Sequence, residues 1–279
     1  MITDHALVQE IIDMGLREDI GDCDVTSQPI LPPTQLAEAK LTAKAEGIIA
    51  GLPIVKRVFH AVDEKISINM IKSDGDAVLP GDLIARLSGR GQSLLTAERL
   101  ALNFLQRMSG IATNTAEFVR RVRGTRAKII DTRKTIPGHR ILDKYAVKVG
   151  GGDNHRMGLY DMVLIKDNHI DVAGGITKAV GRVRSRFGDQ YKIEVETRNI
   201  EEVQEAFSLN IDRIMLDNMS LDAMHDAVEW VARRVPLEAS GGVTLETVRE
   251  VAKTGVDYIS VGELTHSVMA LDISMTVIM

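Results

Sequence analysis

From Lys128 onward the chain repeats one pattern: a short apolar run, a polar or glycine stop, then a helical stretch. "KIID" stops at Asp131, "MVLI" at Lys166, "KIEVE" at Glu196, "RIML" at Asp217, "PLEAS" at Ser240 and "YISV" at Gly262. "IEEVQEAFSLN", "SLDAMHDAVEWVARR" and "TLETVREVAKTG" lie between them with helical spacing of apolar residues. The later strands recur about every 20 to 24 residues, the period of repeated βα units. Six such strands do not make an eight-stranded barrel. The pattern predicts an α/β fold built on an irregular, incomplete α/β barrel of about six to seven strands.

The first part of the chain has a different rhythm. Residues 5–17 read as an amphipathic helix with Leu7, Val8, Ile11, Ile12 and Leu16 on one face. "AEAKLTAKAEGIIAG" alternates and breaks at Gly47 and Gly51, as a strand and turn would. "LPIVKRVFHAV" is helical, and "KISINMIKSDGDAVLPGDLIARLSG" reads as strands around turns at Asp74-Gly75 and Pro80-Gly81. A long helical stretch follows, with a break expected near Ser109-Gly110. The expected division is an N-terminal domain over 1–110 and a barrel domain over 111–267, with about 268–279 packing back on the first.

Length and charge narrow the function. A chain of 279 residues accommodates one large barrel or two domains. A net charge of -5 argues against a general nucleic-acid binder, so any anion site is a local cluster of cations. The single cysteine, Cys23, excludes an intrachain disulfide and a Cys-rich zinc site. No apolar run reaches membrane-spanning length, and "MITDHALVQEIIDMGLRED" lacks the features of a secretory leader. The expectation is a soluble cytoplasmic protein without a targeting signal.

In βα-repeat folds reactive groups gather where strands end. Asp131, Arg133, Lys134, Lys166, Glu196, Asp217, Ser240 and Gly262 are therefore expected around one cavity. Taken alone, each has a plainer explanation: a strand-end Asp caps a helix and a strand-end Lys faces solvent. Six strands ending alike are harder to explain that way. Residues 131–169 hold seven Lys or Arg against five Asp. Converging cations in a shielded site call for an anionic ligand, and arginine forks suit carboxylate and phosphate. The competing reading pairs them on the surface with Asp143, Asp153 and Asp161. "ASGGVT" and "SVGELTHS" follow the last two barrel strands, where glycine lets backbone N–H groups approach a phosphate. Glu196 and Asp217 suit sugar hydroxyls, a hydrated Mg²⁺, or charge balance against the cations. Together these describe a phosphorylated sugar with further anionic groups. They do not name the reaction, and Lys166 as the Schiff-base nucleophile of a barrel aldolase is a rival reading.

The chain resembles the quinolinate phosphoribosyltransferase family almost from end to end. The carriers are "GLREDIGDCDVTS", "ERLALNFLQRMSGIAT", "DTRKTIPGHRILDKYAVKVGGGDNHRMGLYDMVLIKDNHI", "EVET", "IMLDNMS", "EASGGVT" and "THSVMALDIS". The resemblance implies an N-terminal α/β-sandwich domain, an irregular barrel and a homodimer or larger assembly with shared active sites. It also implies phosphoribosyl transfer from phosphoribosyl pyrophosphate to quinolinate with decarboxylation, a step of NAD biosynthesis, with Mg²⁺. On this sequence Arg133, His155 and Arg156 would hold the quinolinate carboxylates, with Thr132 among the substrate contacts. Arg99 would reach the pocket from the neighbouring subunit. Lys134 and Lys166 would contact substrate carboxylate or pyrophosphate. Glu196 and Asp217 would hold ribose hydroxyls, directly or through metal. These four residues are the catalytic candidates, and the two carboxylates are the metal candidates. Ser240, Gly241 and Gly262 would bind the 5′-phosphate through backbone groups. Cys23, Ile136, His139 and Glu263 depart from the family pattern. A relative of the same family acting on another base is the alternative, as is a quinolinate-binding sensor without catalysis.

Overall fold

The structure, a computed structural model, describes residue 2 and residues 5–278. Two compact units emerge: Met1–Ala116 with Thr135–Gly151 and Thr265–Met279, and Glu117–Lys134 with Gly152–Leu264.

The first unit holds strands β1 (Leu36–Ala43), β2 (Gly47–Ile48), β3 (Ser67–Met70), β4 (Ala77–Val78) and β5 (Leu83–Arg90). β1 alternates as its sequence does: Ala37, Ala39, Leu41 and Ala43 are buried, and the residues between them face outward. It pairs antiparallel with β5 on one side and with the strand Ile273–Ile278 on the other, and β3 completes the four-stranded sheet. The first helix, Ala6–Ile20, buries Val8, Ile11 and Ile12. Its buried stripe is narrower than the apolar face of the sequence, leaving Leu7 49% exposed and Leu16 half-buried.

Helix Gly91–Arg121 is continuous, which corrects the break expected at Ser109-Gly110. A Cβ on Gly110 would lie 2.2 Å from the Met269 backbone oxygen, so the glycine admits another chain segment. The buried Ser109 hydroxyl accepts from the Ala50 N–H at 3.0 Å. Both residues mark places where backbone presses against the helix. Further along, Arg107 grips the buried Asp143 with two hydrogen bonds of 3.0 and 2.8 Å, tying helix Arg140–Val149 to the same unit.

The second unit is the βα repeat. Its strands are β6 (Lys128–Ile130), β7 (Val163–Ile165), β8 (Ile193–Thr197), β9 (Arg213–Asp217), β10 (Leu237–Ser240) and β11 (Tyr258–Ser260); the strand Ile273–Ile278 is thus β12. These are the six runs read from the sequence. All neighbours are parallel, in the order β6-β11-β10-β9-β8-β7. The order is that of a barrel wall, but β6 and β7 do not bond, and among the described residues no closed barrel forms. On the side of β6 away from β11, the described residues make a single bridge, Ile130 to Asp153. Two of the helices between strands start on side-chain caps: Asn199 accepts from the Glu202 N–H, and Ser220 from the Ala223 N–H.

Candidate active site

Parallel strands bring their carboxyl ends to one rim. At the end of β6, Asp131 is fully buried and accepts the His155 backbone N–H at 2.9 Å, so it anchors the loop before β7. Thr132 accepts the Lys134 N–H at 3.0 Å, turning the chain so that Lys134 is exposed and Arg133 half-buried. Arg156 is buried, and its Nη1 donates to the Met162 carbonyl at 3.1 Å. Burial, and then the charge of Arg133, lowers the Arg156 pKa. The sequence-predicted pair of arginines is therefore close enough to repel, which suits an anion between them.

Lys166 stands at the start of helix Asp167–Ala173, where the His169 ring accepts its backbone N–H at 2.9 Å. Its ammonium lies 3.9 Å from the Glu196 carboxylate. Glu196 is only 8% exposed. Burial and then Asp217 raise its pKa, against the pull of Lys166. Asp217, half-buried, accepts from the Asn218 amide at 2.8 Å. Asn218 in turn donates its backbone N–H to the Ser240 carbonyl at 2.9 Å. Gly241 has φ +101°, and a Cβ there would fall 2.1 Å from the Asn218 side-chain oxygen. Only glycine fits that turn.

The loop after β10 departs from its reading in one respect. "ASGGVT" does not open directly into a helix: a turn over 244–247 intervenes, and the helix is Val248–Lys253. The Thr247 hydroxyl accepts the Thr244 N–H, closing that turn locally. Gly262 is half-buried between β11 and the short helix Glu263–His266. Arg99 belongs to the first unit, exposed on helix Gly91–Arg121.

His155 differs most from its expected place. Its ring is turned into the barrel, with Nε2 2.9 Å from Glu194 and 3.5 Å from Glu238. Both glutamates are fully buried, and Arg213 donates to Glu238 at 2.8 Å. Burial and the neighbouring Glu194 carboxylate raise the Glu238 pKa. The sequence reading missed this cluster. Its signal was period two: Glu194 and Glu238 stand two residues before the strand-end Glu196 and Ser240, on the same inward face.

A cavity of about 620 Å³ lies against β7 and is lined mainly by apolar side chains, including Leu159, Ile165, Val172 and Phe187, and also by Arg156. Most of the charged groups described above gather at the strand ends instead.

Residues 111–276 match the family described as "Quinolinate phosphoribosyl transferase, C-terminal domain", and residues 24–109 match its N-terminal domain. The chain belongs to the quinolinate phosphoribosyltransferase family. A relative in Bacillus subtilis named "Probable nicotinate-nucleotide pyrophosphorylase [carboxylating]" is 46% identical over 273 residues, covering 98% of this chain and 94% of the relative. One in Nicotiana glauca, "Quinolinate phosphoribosyltransferase [decarboxylating] 1", is 45% identical over 287 residues and covers 96% and 81%. The crystal structure of NadC from Streptococcus pyogenes superposes with a TM-score of 0.94 at 39% identity, covering 97% of this chain and 96% of that one. Membership of the quinolinate phosphoribosyltransferase family accounts for both halves of the chain.

Proposed function

We propose that the chain transfers the phosphoribosyl group of phosphoribosyl pyrophosphate to the ring nitrogen of quinolinate and releases CO₂. The products are nicotinate mononucleotide and pyrophosphate, and the step belongs to NAD biosynthesis. The observation that carries this reading is the division of the rim. Arg133 and Arg156 crowd one part of it, and Glu196, Asp217 and Lys166 gather at another. The cationic part suits a dicarboxylate, and the acidic part suits a sugar that becomes electron-poor as its leaving group departs.

The chemistry follows from that division. The bond from ribose C1 to pyrophosphate breaks with its electron pair going to the leaving oxygen, which Lys134 and Lys166 stabilise. Glu196 and Asp217 lie near the positive charge that develops on the sugar. The pyridine nitrogen then forms the new bond to C1 and becomes cationic. That cation takes up charge as the C2–carboxylate bond breaks, releasing CO₂ and leaving an electron pair on C2 that picks up a proton. No protein nucleophile enters, so catalysis rests on positioning and preorganised charge. Ser240, Gly241 and Gly262 would hold the 5′-phosphate, Thr132 would complete the quinolinate side, and His155 would serve that side through the loop that carries Arg156.

Mg²⁺ fits the acidic part. Glu196 and Asp217 are hard oxygen donors, and Asp217 lies close enough to disfavour ionisation of Glu196, with the Lys166 ammonium 3.9 Å from Glu196 to offset it. They would hold the ion directly or through water, and its charge would ease departure of pyrophosphate. Arg99 acting across a homodimer, and a cytoplasmic location consistent with the lone exposed Cys23, complete the reading. Among the described residues no helix is long and apolar enough to cross a membrane.

The test is direct: incubate the protein with quinolinate, phosphoribosyl pyrophosphate and Mg²⁺. Nicotinate mononucleotide and CO₂ should appear in equal amounts and depend on both substrates. Absence of nucleotide from folded protein refutes the assignment.

A further inference from the structure

The barrel interior carries charges that the reaction above does not use. Glu194 on β8 and Glu238 on β10 meet there, both fully buried. Among the described residues, one oxygen of each, Oε1, has no hydrogen-bond partner. Burying two carboxylates below a substrate site is unfavourable unless something is gained from them. The donor atoms of His155, Glu194 and Glu238 lie within 4.8 Å of one another, a spacing that a cation could use. Yet the Arg213 guanidinium already sits 2.8 Å from Glu238, stacked 4.1 Å over the Tyr258 ring. Positive charge is thus supplied by the protein, and the bonds that remain lead elsewhere.

They lead to Arg156. Glu194 Oε2 accepts from His155 Nε2 at 2.9 Å. With that nitrogen donating, Nδ1 is the acceptor, and it takes the Arg156 backbone N–H at 2.7 Å. Asp131 holds the same loop one bond earlier, through the His155 N–H. The loop lies where the barrel wall is open, so no sheet ladder fixes it beyond the single bridge at Asp153. Side chains must do what a strand would otherwise do.

We propose that Glu194, backed by Glu238 and Arg213, is a positioning residue for quinolinate binding: through the His155 ring it fixes the backbone that aims Arg156. This rests on the reading above that Arg156 contacts quinolinate. Glu194 itself touches neither substrate. It selects the Nε2–H tautomer of His155, and the ring transmits the constraint to the next peptide.

The experiment is steady-state kinetics with Mg²⁺ on Glu194→Ala, Glu194→Gln, His155→Ala, Arg156→Ala and the Glu194→Ala/His155→Ala double variant. Glu194→Ala should raise KM for quinolinate about tenfold or more, with KM for phosphoribosyl pyrophosphate within about twofold. Glu194→Gln keeps an acceptor for Nε2–H and should recover most of that loss. The double variant should be no worse than His155→Ala, because Glu194 acts through the ring. Equal rises in both KM values, additive losses in the double variant, or a Gln variant as impaired as the Ala one would each overturn the proposal. If Arg156→Ala leaves quinolinate KM unchanged, the site reading beneath it fails as well; if only Arg156→Ala raises it, the positioning role alone is refuted. Should Glu194→Ala not fold, ¹⁵N-histidine NMR of the unmodified protein decides. A neutral Nε2–H ring at His155 supports the proposal, and an Nδ1–H ring or an imidazolium overturns it.

Discussion

Arg133 and Lys166 are side chains at strand ends, one half-buried and one exposed, and neither fills the core. Substituting either with alanine should lower kcat/KM by about a hundredfold or more while leaving the thermal midpoint within about 2 °C. Calorimetry beside activity checks this; loss of the cooperative transition would make the residue structural. The same logic bears on substrate choice. Nicotinate has one carboxylate fewer than quinolinate, so part of the Arg133 and Arg156 charge would stay unmatched. Catalytic efficiency with nicotinate should be lower by about a hundredfold or more, and comparable values for the two acids would refute the dicarboxylate reading. The strand-end residues were legible because a polar stop after an apolar run is visible in one dimension. Glu194 and Glu238 were not, because a carboxylate inside a strand reads as solvent-facing until neighbouring strands and a partner from a distant loop bury it. His155 was legible as part of a cationic segment, whereas the direction of its ring depends on those two unseen partners.

Helix Gly91–Arg121 shows where local reading fails at the level of elements. Serine and glycine together signal a break when only propensity is considered. Here Gly110 lies against the Met269 backbone, and the sequence holds no trace of that distant neighbour. The sign of one substitution separates the two explanations. Gly110→Ala would stabilise a free helix by about 1 kcal/mol, but overpacking against backbone should destabilise the protein by about 1–3 kcal/mol. Denaturant unfolding reads the sign. Another element-level feature is the turn holding the short helix Ser27–Ile30. Asp24 accepts from the Ser27 hydroxyl and backbone, then from Thr96 and the Thr26 N–H, which brings its pKa down to about 2. An unfolded aspartate titrates near about 3.9. The folded carboxylate binds its proton less readily, so it contributes stability above that value, and the contribution fades as pH falls towards 2. Asp24→Asn should flatten the stability profile between about pH 4 and 2 and leave its slope above pH 5 unchanged; an unaltered acid limb would discount the turn.

For the whole molecule, the sharpest test concerns Arg99. Prepare Arg99→Ala and Lys166→Ala separately, each nearly inactive, then unfold, mix and refold them. If Arg99 serves its partner's site, a mixed dimer unites an intact barrel with an intact Arg99 at one of its two sites. Random pairing makes half the dimers mixed, so roughly a quarter of all sites should recover. Mixed dimers shown by tagged subunits, yet inactive, would remove Arg99 from a shared site. The repeat of the second unit was legible because each βα step is local. The sheet of the first unit was not fully so, because one of its strands lies far along the chain. β1 ends at Ala43 and its neighbour β12 begins at Ile273. Synthesis runs from the amino end, so every barrel strand has been made before β1 meets β12. The first unit to be translated is therefore the last to be completed, and through that interval one edge of β1 must wait without its neighbour, a span in which a nascent chain is most exposed to pairing with the wrong strand.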